Sequence, residues 1–163
     1  MIVAETSRSL RARTTVAVIR GALLIILVIG LVGLLAELLL LEHVEDSWQR
    51  LPIFLIMASL IVLGWHAVER GRPSLRALQA TMILLVLAGS LGLLLHFKGN
   101  IAFEQEMQPP LTGWALVWAA LKGATPTLAP GAMVQLGLIG LAYTYRHPRL
   151  GAADGTEASR LDR

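Results

Sequence analysis

The sequence predicts an all-α membrane protein: a four-transmembrane-helix bundle with a short interfacial or re-entrant helix before the last span. Three observations predict it. Of the 163 residues, 55% are hydrophobic and only 15% charged, whereas a soluble domain carries about 25% charged residues. The charges collect in short clusters between long apolar runs, the pattern of a polytopic membrane chain. The basic residues fall mostly on one side of those runs, as membrane topology requires.

The first span is read from Gly21 to Leu41. At about 1.5 Å per residue it is about 31 Å long, against a hydrocarbon core of roughly 30 Å. Arg8, Arg11 and Arg13 precede it as in a signal peptide. The run is longer than the roughly 7–15 residues of a signal h-region, and no A-x-A site follows; it is read as a retained helix. The second span runs from about Pro52 to Val68, with Pro52 expected at the first helical position, where a missing N–H costs nothing. The third runs from about Leu75 to Phe97, with Ser74 as the expected N-cap after the Gly71–Pro73 break. The fourth runs from about Thr127 to Tyr145, with Pro126 and Pro130 near its start.

Leu111 to Leu121 is apolar but too short to span. Trp114 and Trp118, four apart, share a face, and tryptophan favours the membrane–water interface. This segment is expected to lie at the outer leaflet or to re-enter it; a loop tip is the alternative. Residues 1–147 thus form one four-helix transmembrane domain. Residues 148–163, rich in Gly, Ala, Ser and alternating charge, read as a disordered cytoplasmic tail.

Orientation follows from the loops. The N-terminal segment, the second loop and the tail together hold eleven of the fourteen Lys and Arg residues. Arg50, Lys98 and Lys122 are the three on the other side. The positive-inside rule therefore places both termini in the cytoplasm, and a bacterial inner membrane is the expected location. The bilayer, and a homo-oligomer or larger membrane complex, are the expected partners. The pI near 10.0 reflects these topological charges, and no nucleic acid is expected.

Three spans carry a small repeat: Gly30 and Gly33, Gly89 and Gly92, Gly137 and Gly140. Glycines three apart sit on one helix face, where small residues let membrane helices approach closely. The alternative is coincidence in a Gly- and Leu-rich chain. GLVGLLAE from Gly30 to Glu37 and GSLGLLLH from Gly89 to His96 would place Glu37 and His96 at equivalent depths, as in a duplicated two-helix unit.

Glu37 is the residue of most chemical interest, because a carboxylate inside a span must be protonated, paired or wetted. With His96 and Gln135 it is expected to form an intramembrane polar cluster in the outer third of the bundle. The cluster is either a proton or ion site with coupled titration or an interhelical clasp. Glu42, His43, Asp46, Glu104 and Glu106 give an acidic outer face, a candidate ligand or metal site. No E-x-x-H motif accompanies them, and a solvated acidic loop is the alternative. His43 and His96 are the only candidate pair for a bis-histidine haem, with His43 falling outside the span, and a single axial histidine would suffice for a pigment. His66 and Glu69, three apart, are a ligand pair or part of an ordinary salt-bridged helix end with Arg70 and Arg72. Tyr143, Tyr145, Arg146 and His147 read as an interfacial anchor able to meet anionic lipid heads.

The chain has no cysteine, which excludes thiol chemistry and disulfides. It has no nucleophile elbow, P-loop or dinucleotide fingerprint. No catalytic residue is assigned, and no cofactor is firmly implied. The expected function is a non-enzymatic accessory or sensory membrane subunit. The alternatives are a proton- or ion-coupled transport component using Glu37, His96 and Gln135, and a metal- or haem-binding redox protein.

Overall fold

The computed structural model describes residues 2–42, 47–123, 125 and 130–151. Among these the chain is helical and contains no strand. The helices are α1 (Ile2–Leu40), α2 (Ser47–Val68), α3 (Arg72–Met107), α4 (Gly113–Leu121), α5 (Gly131–Thr144) and α6 (Pro148–Gly151). Three of them are long and apolar enough to cross a membrane, over Leu10–Leu40, Gln49–Val68 and Arg72–Met107. This is a membrane-protein fold.

The helices run further than hydropathy alone marks them. α1 begins at Ile2 rather than Gly21, because no proline or glycine interrupts the polar stretch before the span. α2 begins at Ser47, so Pro52 lies inside the helix and not at its first position. So close to the N-terminus, the missing N–H forfeits only one early ladder bond. α3 is capped by Gly71 rather than by Ser74, with proline in its first turn. α3 also continues ten residues past Phe97, to Met107. α5 has 14 residues, about 21 Å of helix. The expected start of that element at Thr127 lies outside the described residues. Pro148–Gly151, read from sequence as the start of the tail, forms a helical turn against α3, and the rest of the tail lies outside the described residues.

α3 packs against α2, α4, α5 and α6, and α1 packs against α2 and α5. The four longest apolar helices therefore form a ring in the order α1, α2, α3, α5, with α1 and α3 across one diagonal. The buried residues show why. On α3, besides Ser74 and Asn100, they are Leu75, Leu78, Met82, Leu85 and Gly89; on α5, besides Gly137 and Thr144, they are Met133, Leu136, Gly140 and Tyr143. Steps of three and four residues keep one narrow face inward, the spacing of left-handed helix packing. Leu27 and Leu31 of α1 and Ile56 and Leu63 of α2 complete the core. The opposite faces are apolar too: Ile25, Ile29, Phe54, Ile61, Leu84, Leu87 and Leu138 are exposed. Helices apolar all round belong in lipid.

Glycine sets how close α3 and α5 come. A methyl on Gly137 would lie 2.7 Å from the Met82 carbonyl oxygen and 2.6 Å from Val86 Cγ2. One on Gly89 would lie 2.8 Å from the Pro130 carbonyl oxygen, and one on Gly92 2.9 Å from Pro130 Cβ. Gly140 faces the Met82 side chain and Gly30 of α1 faces the Leu136 side chain of α5, and either side chain would have to shift to admit a methyl. Gly33 differs, having nothing within 4 Å.

Candidate functional site

Apart from Ser59, which bonds the Leu55 carbonyl within α2, the buried polar side chains sit at the two ends of the bundle. At the first end, His66 occupies the buried face of α2, following Ser59 and Leu63 at helical spacing. It is only 4% exposed. Its Nδ1 lies 2.8 Å from Ser74 Oγ at the start of α3, and its Nε2 lies 2.8 Å from the Tyr143 hydroxyl at the end of α5. Ser74 Oγ in turn lies 2.9 Å from the Glu69 carbonyl and 3.0 Å from the Gly71 carbonyl. One arrangement gives every donor an acceptor. The Tyr143 hydroxyl donates to Nε2, Nδ1–H donates to Ser74, and Ser74 donates to a loop carbonyl. His66 is neutral in that arrangement, and one imidazole joins α2, α3 and α5.

His147 follows α5 and completes the aromatic group. Its ring centroid lies 6.4 Å from that of His66 and 5.8 Å from that of Tyr143. Burial, aided by Arg20, His66 and Arg149, holds its pKa below the ordinary 6.5. The Arg149 backbone N–H, 3.4 Å from His147 Nδ1, points to a ring nitrogen that accepts, which agrees with a neutral imidazole.

Arginines tie the surrounding chain ends. Arg20 of α1 donates to the carbonyls of Tyr145 (3.1 Å) and Arg146 (3.0 Å), satisfying acceptors that the end of α5 leaves open. Arg149 donates to the Arg70 carbonyl. A cavity of about 410 Å³ opens here. Its walls include Leu24 and Leu63, and its polar groups are Arg20, His66, Arg70, Tyr143, His147 and Arg149.

At the other end, Asn100 of α3 is 2% exposed. Its amide donates to the carbonyls of Ala120 (2.9 Å) and Thr125 (2.7 Å), and its Oδ1 accepts from the Thr125 N–H (3.2 Å) and hydroxyl. This one side chain fixes α4 and the segment after it to α3. Gly123 permits the approach: a methyl there would lie 2.6 Å from Asn100 Cγ. Trp114 and Trp118 of α4 are both exposed, and the Lys122 ammonium lies 5.3 Å from the Trp118 ring.

The residues that sequence marked first lie elsewhere. Glu37 and Gln135 are exposed, and His96 is half-buried with its Nδ1 unpartnered. Among the described residues no hydrogen bond or ion pair joins the three, and α1 and α3 stand across the ring. Glu42 is exposed with φ 50°. Glu104 and Glu106 lie at the end of α3, half-buried and exposed respectively. His43 and Asp46 lie outside the described residues. No group of three or more potential metal-ligating side chains occurs among the described residues. Glu69 turns to the Trp65 indole, its Oε2 2.6 Å from Nε1, while His66 turns inward, so the H-x-x-E pair is divided.

His66 had a usable signal, since it continues the face set by Ile56, Ser59 and Leu63. Asn100 had none, because the sequence reads as loop there. The fold and the paired polar ends define an all-helical membrane bundle. Comparison with protein families, curated proteins and solved structures finds no match.

Proposed function

We propose that the chain is a non-enzymatic membrane module, an accessory or sensory subunit, with four crossings and both termini in the cytoplasm. One observation supports it above the others: the buried polar side chains His66, Ser74, Tyr143 and Asn100 all join one segment of the chain to another. Polar groups used in this way fix packing rather than line a path. Transport through Glu37, His96 and Gln135 draws less support, because Glu37 and Gln135 are exposed and unjoined. A redox centre draws less again, for want of a ligand cluster among the described residues.

The same contacts support the fourth crossing. Thr125 is bound to Asn100 near one end of α3, and Tyr143 meets the His66–Ser74 pair at the other end. Ser74 and Asn100 are 26 residues apart on α3, about 39 Å of helix, more than the roughly 30 Å of a hydrocarbon core. Thr125 and Tyr143 thus stand toward opposite ends of that length. α4 and the end of α3 then form a cap on the outer surface, with the two tryptophans at the interface.

The absence of cysteine allows a direct test. Single cysteines placed at Ser7, Thr112 and Ala152 are labelled in intact cells with a membrane-impermeant maleimide. Labelling of Thr112→Cys alone is expected. Labelling of both Thr112→Cys and Ala152→Cys would refute the fourth crossing. For the accessory role, the tagged protein is purified from its own membrane, and a stoichiometric partner or a second copy is expected. A solitary monomer with ion flux in liposomes would overturn the role.

A further inference from the structure

We propose that the cavity at the His66 end binds a phosphate oxyanion, most suitably that of an anionic phospholipid headgroup. Three arginines reach it from separate parts of the chain: Arg20 from α1, Arg70 from the turn after α2, and Arg149 from α6. Among the described residues none of the three is paired with a carboxylate, and no acidic side chain lines the cavity. Three arginines around one cavity, with no counter-charge among the described residues, repel one another, and a bound anion removes that cost. Arg20 and Arg149 each use some donors on backbone carbonyls, which holds them in place with other N–H groups free for phosphate oxygens. The Arg70 side chain makes no hydrogen bond among the described residues, so all its donors remain.

The rest of the lining selects the carrier of the phosphate. Leu24 and Leu63 lie one to two turns deeper in α1 and α2 than Arg20 and Arg70, and with Ala17, Gly21 and Ala67 they give the cavity apolar walls. Such a site takes an amphiphile, with acyl carbons below and phosphate above. It also stands where the apolar spans end, at headgroup depth. The Tyr143 hydroxyl and the imidazoles of His66 and His147 add polar groups to the wall. The inference concerns this cavity alone and does not depend on the accessory role or on which leaflet the site faces.

The test uses the full-length protein in nanodiscs of phosphatidylcholine, titrated with phosphatidylglycerol and, separately, with inorganic phosphate. Bound lipid is counted by native mass spectrometry. The variants are Arg70→Gln, Arg149→Gln and Arg76→Gln. Arg76 carries the same charge on α3 near the same end and does not line the cavity. Wild type is expected to retain one phosphatidylglycerol. Its affinity should fall about fivefold in Arg70→Gln and in Arg149→Gln, and stay unchanged in Arg76→Gln. Arg70→Gln is the deciding variant, because the Arg70 backbone carbonyl that Arg149 uses remains. Displacement of the lipid by inorganic phosphate would assign the site to a soluble phosphate; retention against it would assign it to lipid. No retention of either probe, or an equal loss in Arg76→Gln, would overturn the proposal.

Discussion

The two ends of the bundle hold their helices in different ways. At the His66 end one imidazole reaches two other helices, and arginines close the chain around it. At the Asn100 end one amide satisfies the backbone of a short segment folded back on α3. Between them the contact is apolar and close, set by glycines. In lipid, apolar burial gives helices little reason to prefer each other over acyl chains. Close backbone approach in the middle and hydrogen bonds at the ends must therefore supply the specificity.

The sharpest way to break this division is at the Asn100 end. Asn100→Leu removes the hydrogen bonds to the Ala120 carbonyl and to Thr125 and takes away the acceptor of the Thr125 N–H. A loss of about 3 kcal/mol is expected, read by denaturant unfolding in detergent micelles. Amide exchange should rise in α4 and stay low around His66. Exchange rising equally at both ends would show that the ends are not independent.

The middle is tested by a pair of glycines. Gly137→Ala places a methyl against the Met82 backbone, which cannot turn aside as a side chain can, and should cost about 2 kcal/mol. Gly33→Ala meets open space and should be neutral, or gain up to about 1 kcal/mol from helix propensity. Thermal melts of the two variants measure the contrast, and similar values would deny that close α3–α5 approach matters.

Smaller effects come from the His66 end. Ser74→Ala removes the acceptor for His66 Nδ1 and should cost about 1 kcal/mol without altering exchange in α4. The smallest effect is a pH dependence. The folded chain holds the His147 pKa below 6.5, so the unfolded chain takes up its proton first as pH falls. Stability from this group is complete above about 6.5 and declines as pH drops through the folded value. Melting temperature followed from pH 8 downward should fall across that window, and His147→Gln should flatten the curve. An unchanged slope in His147→Gln would assign the dependence to other groups.

The membrane class was legible in the sequence because hydropathy and charge placement are properties of composition along the chain. Rotation of each helix was not. Glu37 and His96 stand at matching places in a repeat, but a matching place does not fix which face turns inward. Here Glu37 is exposed, and α1 and α3 stand across the ring. The glycine pattern was more informative, since a residue without a side chain can only help where helices touch. Gly30, Gly89, Gly92, Gly137 and Gly140 all face close neighbours, and Gly33 does not. Asn100 was hidden by its surroundings, because Lys98 and Gly99 look like a loop, whereas α3 continues through them. A 36-residue helix that outruns its apolar stretch needs a partner along its polar part, and α4 supplies one.

His66 joins α2 to α5 through the Tyr143 hydroxyl. A double-mutant cycle tests it most directly, with His66→Phe, Tyr143→Phe and the double variant unfolded in micelles. A coupling of about 1 kcal/mol, within the range of interhelical hydrogen bonds in membranes, is the predicted result. Additive losses, with coupling near zero, would show that His66 and Tyr143 do not join the two helices.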